Sequence, residues 1–262
     1  MKAGFYQFNP IFGKKDENLK KVSSAVKSAE LELLVLPELF ATGYQFISPD
    51  EAASLAEPIP KGQTTEFIAD LSHKKNIYIA AGLAEKAGDK IYNSAVLTGP
   101  EGLIGVYRKT HLYSEEKLYF TPGDTGFKVW NTKIGHIGIM ICFDWFFPES
   151  MRSLSLLGAE VVAHPANLVL PYCPDAMLTR CLENRVYSVT ANRLGSEERK
   201  EGHPLTFIGK SEIVSPRGNI LVRASADEEV LLVAEIDPKT AKNKALNSFN
   251  DILKDRRPEL YK

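Results

Sequence analysis

The segment KIGHIGIMICFDWFFPE, residues 133–149, decides how this chain is organised. Its first part, 134–141, is apolar and rich in isoleucine, which predicts a buried strand. Cys142 follows directly, and Pro148 then opens a helical pattern. A strand holds such a thiol rigidly, and the N-terminus of a helix stabilises a thiolate. Cys142 is therefore a candidate nucleophile, although a single cysteine among Ile and Phe can equally be a small core residue.

Composition and charge indicate an ordinary globular protein. Of the 262 residues, 44% are hydrophobic and 25% charged, and the formal net charge is −1. This charge gives no reason to expect a nucleic-acid partner or an anionic membrane surface. No apolar run approaches the roughly 20 residues of a membrane span, and the N-terminus lacks the apolar core of a signal peptide. We therefore expect a cytoplasmic protein that does not bind membranes.

The cysteines do not suggest a disulfide framework or a metal site. There are three of them, at positions 142, 173 and 181, with no C-x-x-C pair. We expect Cys173 and Cys181 to be buried packing thiols. Arg180, Glu183 and Asn184 share one face of a predicted helix and indicate a structural polar network.

Strand and helix patterns alternate along the chain and recur in the same order in both halves. The predicted strands are 2–8, 33–36, 77–83, 91–98, 103–109, 134–141, 160–163, 186–191, 212–215, 220–224 and 229–236, and the predicted helices are 16–30 with Asp16 as its cap, 64–75, 148–158, 175–185 and one that opens at Pro238. Several strands are apolar on both faces and need cover on both sides. We predict an α/β fold built as a four-layer αββα sandwich, with residues 1–262 forming one domain.

Two ionisable residues lie, like Cys142, at the end of a predicted strand or just past it. They are Glu38 and Lys109, and active sites of α/β folds collect at the carboxyl ends of strands. Glu38 follows an apolar strand, so its carboxyl group should be poorly solvated and its pKa raised. Taken singly, Glu38 could be a loop salt bridge and Lys109 a surface lysine. The functional interpretation rests on the presence of Glu38, Lys109 and Cys142 together at the ends of predicted strands.

Three segments resemble the signature segments of the nitrilase superfamily of carbon–nitrogen hydrolases, in their order and spacing: PELF (37–40), YRKTHL (107–112) and ICFDWFFPE (141–149). The resemblance continues through RCLEN (180–184) and DILKDRR (251–257), and is strongest to small nitrilases of thermophilic archaea. It implies an αββα fold, a Glu–Lys–Cys triad of Glu38, Lys109 and Cys142, and a homodimer whose sheets extend across the interface. It also implies a second active-site glutamate, which matches Glu116, although Glu115 is adjacent.

The chemistry of these residues agrees with that resemblance. Cys142 can attack the carbon of an amide or nitrile once Glu38 has taken the thiol proton. The Lys109 ammonium and the backbone N–H of Phe143 can stabilise the negative charge that develops on oxygen. The resulting thioester is hydrolysed by a water that Glu38 activates. Neither a metal nor an organic cofactor is needed.

The same strand ends should line the substrate pocket. Candidates for its walls are four aromatic residues and one polar contact: Tyr44, Tyr113, Trp145, Phe146 and Asn167. These aromatic side chains can equally belong to the core or to a dimer interface. We also expect the charged tail 251–262 to reach across a dimer.

Several functions remain open from the sequence. The first interpretation is hydrolysis of a small aliphatic amide or nitrile, and N-carbamoyl hydrolysis is possible within the same superfamily. A different enzyme class would use Cys142 and His164 as a Cys–His dyad, but Glu38 and Lys109 would then have no role. A non-catalytic scaffold is the remaining alternative, and intact Glu38, Lys109 and Cys142 argue against it.

Overall fold

The computed structural model describes residues 1–261, and Lys262, the last residue of the predicted tail, lies outside the described residues. The first half contains β1 (Lys2–Gln7), α1 (Lys15–Ala25), β2 (Leu33–Val35), α2 (Pro49–Leu55), α3 (Gln63–Lys75), β3 (Tyr78–Ala87), β4 (Lys90–Gly99), β5 (Gly102–Arg108) and α4 (Glu116–Tyr119). The second half contains β6 (Val129–Thr132), β7 (Gly135–Ile139), α5 (Pro148–Leu156), β8 (Val161–Pro165), α6 (Cys173–Asn184), β9 (Tyr187–Ala191), β10 (Ser196–Glu197), β11 (Leu205–Thr206), β12 (Glu212–Val214), β13 (Ile220–Arg223) and β14 (Val230–Glu235). Three 3-10 helices span Cys142–Phe146, Pro238–Lys242 and Pro258–Leu260.

Two six-stranded sheets carry the architecture. The first has the order β14-β1-β2-β3-β4-β5, and β1, β2 and β3 run parallel at its centre. The second has the order β13-β12-β9-β8-β7-β6, with β7, β8 and β9 parallel. Each half of the chain therefore supplies most of one sheet. Strand β14 crosses back to pair antiparallel with β1, so the end of the chain completes the first sheet.

Alternation of side chains along β2 shows how the layers are stacked. Leu33 and Val35 belong to the core that also contains Ile137 and Ile139 of β7, between the two sheets. Leu34, the residue between them, lies in a second core with side chains of α1 and α3. On the second sheet, α5 and α6 pack together on the outer face. The α/β class and the αββα layering predicted from the sequence are thus confirmed.

Some predicted boundaries are wrong. The strand predicted at 134–141 is shortened to β7, and Cys142 opens a separate 3-10 helix instead of the helix that begins at Pro148. The first helix begins at Lys15 with no side-chain cap, so Asp16 does not cap it. The helix predicted at Pro238 is a 3-10 helix of five residues.

Five short elements were not predicted at all: α2, α4, β6, β10 and β11. Helix α2 begins after Ser48, whose hydroxyl accepts the Glu51 N–H, although the segment has few buried residues to show a helical period. Strand β6 is only half buried, and its hydrogen bonds to β7 stabilise it at the sheet edge. Within residues 1–261, no helix is both long and apolar enough to cross a membrane.

Candidate active site

Glu38 lies in a tight connection that leaves β2 and packs against β3. It is completely buried, and Gly82 of β3 approaches it so closely that an added Cβ would lie 2.5 Å from the Glu38 Cα. Glycine is therefore required at position 82, since any side chain would push the Glu38 segment away. Leu39 takes the left-handed conformation, with φ +50°, which turns the chain sharply after the carboxylate.

A continuous chain of ion pairs joins Glu38, Lys109 and Glu116. The Lys109 Nζ donates to Glu38 Oε1 at 2.6 Å and to Glu116 Oε1 at 2.8 Å, and all three side chains are buried. Glu116 Oε1 also accepts the Tyr44 hydroxyl at 2.6 Å. Glu115, by contrast, pairs at the surface with Lys200. The structure therefore places Glu116, and not Glu115, beside Lys109.

Only one oxygen of Glu38 is engaged. Oε1 accepts Lys109 and also Asn93 Nδ2, at 2.7 Å, whereas Oε2 is buried without a hydrogen-bond partner among the described residues. Burial raises the pKa of Glu38 to about 7, because desolvation of the carboxylate outweighs the neighbouring Lys109 charge. Burial acts in the opposite direction on Lys109, but the carboxylates of Glu116 and Glu38 prevail and raise the pKa of Lys109. The site thus holds a permanent ammonium beside a carboxyl group that can exchange a proton near neutral pH.

Cys142 has a strained backbone that neighbouring side chains hold in place. Its φ is +42°, in the left-handed region that non-glycine residues seldom adopt. The carboxylate of Asp144 accepts the Ile141 N–H at 2.9 Å and the Tyr107 hydroxyl at 2.7 Å. It also accepts the backbone N–H of His111 at 3.1 Å. The hydrogen bonds of Asp144 therefore connect the turn that carries Cys142 to the first sheet.

The prediction that the Cys142 thiolate is stabilised is wrong. Burial, reinforced by the charge of Glu38, raises the pKa of the thiol well above its usual value, although Lys109 acts in the opposite direction. The 3-10 helix that begins at Cys142 has only five residues, so it has little dipole to set against desolvation. The resting sulfur is a thiol, and a base is required to activate it.

His164 does not form a dyad with the sulfur of Cys142. Its Nε2 lies 3.0 Å from the backbone carbonyl oxygen of Cys142, and its Nδ1 lies 3.1 Å from Thr190 Oγ1. Both ring nitrogens are thus engaged away from the thiol. This geometry leaves the dyad hypothesis without support.

Asn167 connects Glu38 with Cys142. Its Nδ2 donates to the Glu38 carbonyl oxygen at 2.8 Å, and its backbone N–H faces the Cys142 sulfur. Its Oδ1 is buried without a partner among residues 1–261.

Sequence reasoning identified Asn167 but missed Asn93 and Asp144. Asp144 left a signal in the sequence. An acidic side chain at the third position of a helix often accepts the backbone N–H of the residue that precedes the helix. Asn93 left none in the interior of β4.

The predicted pocket residues divide between two adjoining cavities and the surface. A cavity of about 20 Å³ is lined by Tyr113, Cys142, Phe143, Trp145, Asn167, Leu168, Val169 and Leu170. A second cavity of about 240 Å³ shares Tyr113 and Val169 with the first, and it is lined also by Tyr44 and Glu116. Phe146 lines neither cavity, since its side chain is 50% exposed and packs beside Trp145 and Phe143.

The other singled-out side chains have structural contacts. Arg180 donates to Glu183 and to the Trp145 carbonyl oxygen, and so joins α6 to the 3-10 helix after Cys142. Asn184 donates to the Arg180 carbonyl oxygen within the same helix. Cys173 and Cys181 are fully buried, and burial raises the pKa of both thiols.

Comparison with known proteins agrees with this geometry. The carbon–nitrogen hydrolase family model matches residues 2–245, so the chain belongs to the carbon–nitrogen hydrolase family. It is 51% identical to a nitrilase of Pyrococcus abyssi, over 100% of this chain and 99% of that protein. It is 35% identical to an N-carbamoylputrescine amidase of Solanum lycopersicum, over 88% of this chain and 82% of that protein. The crystal structure of a carbon–nitrogen hydrolase from Helicobacter pylori G27 superimposes with a TM-score of 0.88 at 29% identity, covering 100% of this chain and 97% of the other. The resemblance to the nitrilase superfamily is confirmed, and the protein is a carbon–nitrogen hydrolase.

Proposed function

We propose that this hydrolase converts small aliphatic amides and nitriles to the carboxylic acid and ammonia through a covalent intermediate on Cys142. The observation that carries the proposal is the buried ion-pair chain of Glu38, Lys109 and Glu116, joined through Asn167 to the Cys142 sulfur. Three buried charges are costly to desolvate, and they are retained where chemistry uses them.

Acylation begins with the unpaired Oε2 of Glu38, which takes the thiol proton of Cys142. The sulfur then adds to the amide carbon, and the electron pair of the carbonyl bond moves onto oxygen. When the tetrahedral adduct collapses, the nitrogen takes the proton from Glu38 and leaves as ammonia. A thioester remains on Cys142.

Two donors can stabilise the oxygen of the adduct. Two of the three Lys109 ammonium hydrogens are engaged with carboxylates, which leaves one for the substrate. The backbone N–H of Phe143 donates to no atom of residues 1–261, whereas the next N–H, of Asp144, closes the turn onto Ile141. Such preorganised donors contribute strongly because they need no reorganisation during the reaction.

Deacylation returns the site to its starting state. Glu38, ionised again, takes a proton from water, and the resulting hydroxide adds to the thioester carbon. The carbon–sulfur bond breaks, and Glu38 gives its proton to the Cys142 sulfur. A nitrile first gives a thioimidate. Water must add to its carbon and protons must reach its nitrogen before ammonia can leave and the thioester can form. We propose that Glu116 assists Glu38 in that step.

The cavity at Cys142 supports a small substrate with an N–H group. This cavity is lined by the aromatic side chains of Tyr113, Phe143 and Trp145, so we expect bulky aryl groups to fit poorly. Asn167 uses its amide nitrogen on Glu38, so its unpaired Oδ1 can only accept a hydrogen bond. An amide N–H satisfies that acceptor, whereas a nitrile nitrogen cannot. We therefore expect amides to be better substrates than matched nitriles.

We further propose that residues 1–262 form one domain that assembles as a homodimer through the tail 251–262. The pairing of β14 with β1 supports the single domain, because the two halves are interlocked. Exposed apolar side chains at the C-terminus support the interface: Leu246, Phe249, Leu260 and Tyr261. Phe249 is 91% exposed in the isolated chain. The three free cysteines fit a reducing compartment, and we propose the cytoplasm.

A substrate panel tests the proposed reaction. Ammonia release is measured from matched amides and nitriles of three to five carbons, beside benzamide, benzonitrile and an N-carbamoyl amino acid, with Cys142→Ala as the blank. The proposal expects turnover of the small aliphatic compounds only. No aliphatic turnover, or a preference for aryl compounds, would refute it. Turnover of the N-carbamoyl compound alone would assign the enzyme to a different substrate class.

A further inference from the structure

His164 is the one fully buried histidine of the described chain, and the reaction above gives it no task. It lies on β8, beside the strained turn that carries the nucleophile. Its two ring nitrogens contact Thr190 Oγ1 and the Cys142 carbonyl oxygen. The contact to the carbonyl oxygen is the one that bears on the reaction.

The partners of the His164 ring define its tautomer. A carbonyl oxygen only accepts hydrogen bonds, so the Nε2 that faces Cys142 must carry the hydrogen. Nδ1 then accepts the hydroxyl hydrogen of Thr190. Burial also lowers the pKa of His164 to about 4, so the ring stays neutral in this environment. His164 is thus a neutral, oriented donor aimed at one backbone oxygen.

That oxygen belongs to the same peptide unit as the N–H of Phe143. A trans peptide is planar, and its C=O and N–H point in opposite directions. Whatever holds the carbonyl oxygen of Cys142 therefore also aims the Phe143 N–H. We propose that His164 is a positioning residue for the oxyanion site: by holding the Cys142 carbonyl, it keeps the Phe143 N–H directed at the substrate oxygen. This inference rests on the proposed function, since it needs an adduct on Cys142.

Removing the hydrogen bond should affect oxyanion stabilisation more than the thiol. Without a donor at the carbonyl oxygen, the peptide between Cys142 and Phe143 can rotate, and rotation turns the carbonyl dipole toward the developing negative charge. The sulfur sits on the other side of the Cys142 Cα and stays beside the backbone N–H of Asn167. Loss of one oxyanion donor costs about 10²-fold to 10³-fold in rate, so a misdirected donor should cost roughly 10-fold to 100-fold.

Three substitutions at one position separate this role from simple packing. His164→Gln places an amide donor near the position of Nε2, His164→Asn places it near Nδ1 instead, and His164→Leu has no donor. Two rates are measured for each. The first is acylation of Cys142 by p-nitrophenyl propanoate, which forms an oxyanion. The second is the reaction of Cys142 with methyl methanethiosulfonate, which forms no oxyanion on carbon, followed by intact mass.

We expect the Asn and Leu variants to acylate about 10-fold to 100-fold more slowly than wild type, with disulfide formation changed by no more than about threefold. The Gln variant should recover most of the acylation rate. If the Leu variant does not fold, the comparison of Gln with Asn decides alone. Parallel loss of both rates in the Asn variant, or acylation unchanged in it, would overturn the inference. A wild type that reacts with the thiol reagent but forms no acyl-enzyme would overturn the proposed function, and this inference with it.

Discussion

The hydrogen bond from Asn93 to Glu38 gives a quantitative test of the proposed general base. Asn93 Nδ2 donates to Glu38 Oε1 at 2.7 Å and so favours the ionised carboxylate. In wild type, the pKa of Glu38 is raised to about 7 by burial. Because the base acts only when ionised, kcat/KM should fall below pH 7, to roughly 1% of its plateau at pH 5. An ordinary glutamate would lose less than about twofold at that pH.

Asn93→Leu removes the donor while keeping a similar volume. A hydrogen bond to a charged group is worth about 1.5–3 kcal/mol, which corresponds to roughly one to two pKa units. The sign is upward, because the lost bond stabilised the charged form. With a shift of about one unit, the ionised fraction of Glu38 at pH 7 falls from about a half to about a tenth. The variant should therefore be about fivefold slower at pH 7 and recover near pH 9.

The assay is ammonia release between pH 5 and 9.5, read as kcat/KM. Thr98→Val is the matched control, because Thr98 is buried on the same strand but contacts Ser72 and not Glu38. In Thr98→Val, the acidic limb of the pH profile of kcat/KM should lie at the same pH as in wild type. A wild-type limb near pH 4.5, or a limb that stays fixed or moves down in Asn93→Leu, would refute the assignment of Glu38 as the base.

Four further outcomes follow from the same geometry. Cys142→Ala should abolish turnover, whereas Cys173→Ala should stay within about tenfold of wild type, and intact-mass trapping should find the acyl group on Cys142. Lys109→Arg should lower kcat by roughly 10²-fold or more with the circular-dichroism spectrum retained, because a guanidinium cannot replace a compact ammonium between two carboxylates; a near-normal kcat would make Lys109 a structural charge. Asn167→Leu should reduce amide turnover about tenfold more than turnover of the matched methyl ester, which has no N–H to donate; equal losses would contradict the acceptor role. Deleting residues 251–262 should weaken the proposed dimer, and an unchanged dimer mass by light scattering at micromolar concentration would count against that interface.

Some of the local detail lay beyond sequence reasoning for a common reason. The prediction that a helix N-terminus stabilises the Cys142 thiolate is wrong, because it took account only of the helix that follows. In the folded chain, desolvation and the Glu38 charge have the larger effect on the pKa of the thiol. Asn93 contacts Glu38 across 55 positions of sequence, and Tyr107 contacts Asp144 across 37. Neither pairing leaves a local pattern, because each depends on how two strands are brought side by side.

The sequence by itself determined the α/β class, the layering and the family. Those properties rest on local patterns: apolar strands such as β2, whose side chains alternate between two cores, and motif residues that follow strand ends. The strand ends also predicted that Glu38, Lys109 and Cys142 would be neighbours. Only the tertiary structure decided the ionisation and the hydrogen bonds of these groups. Burial sets the ionisation of Glu38 and Cys142, and a side chain on β8 holds the Cys142 peptide. Desolvation and hydrogen-bond direction are properties of the packed surroundings, and these exist only once both sheets have come together.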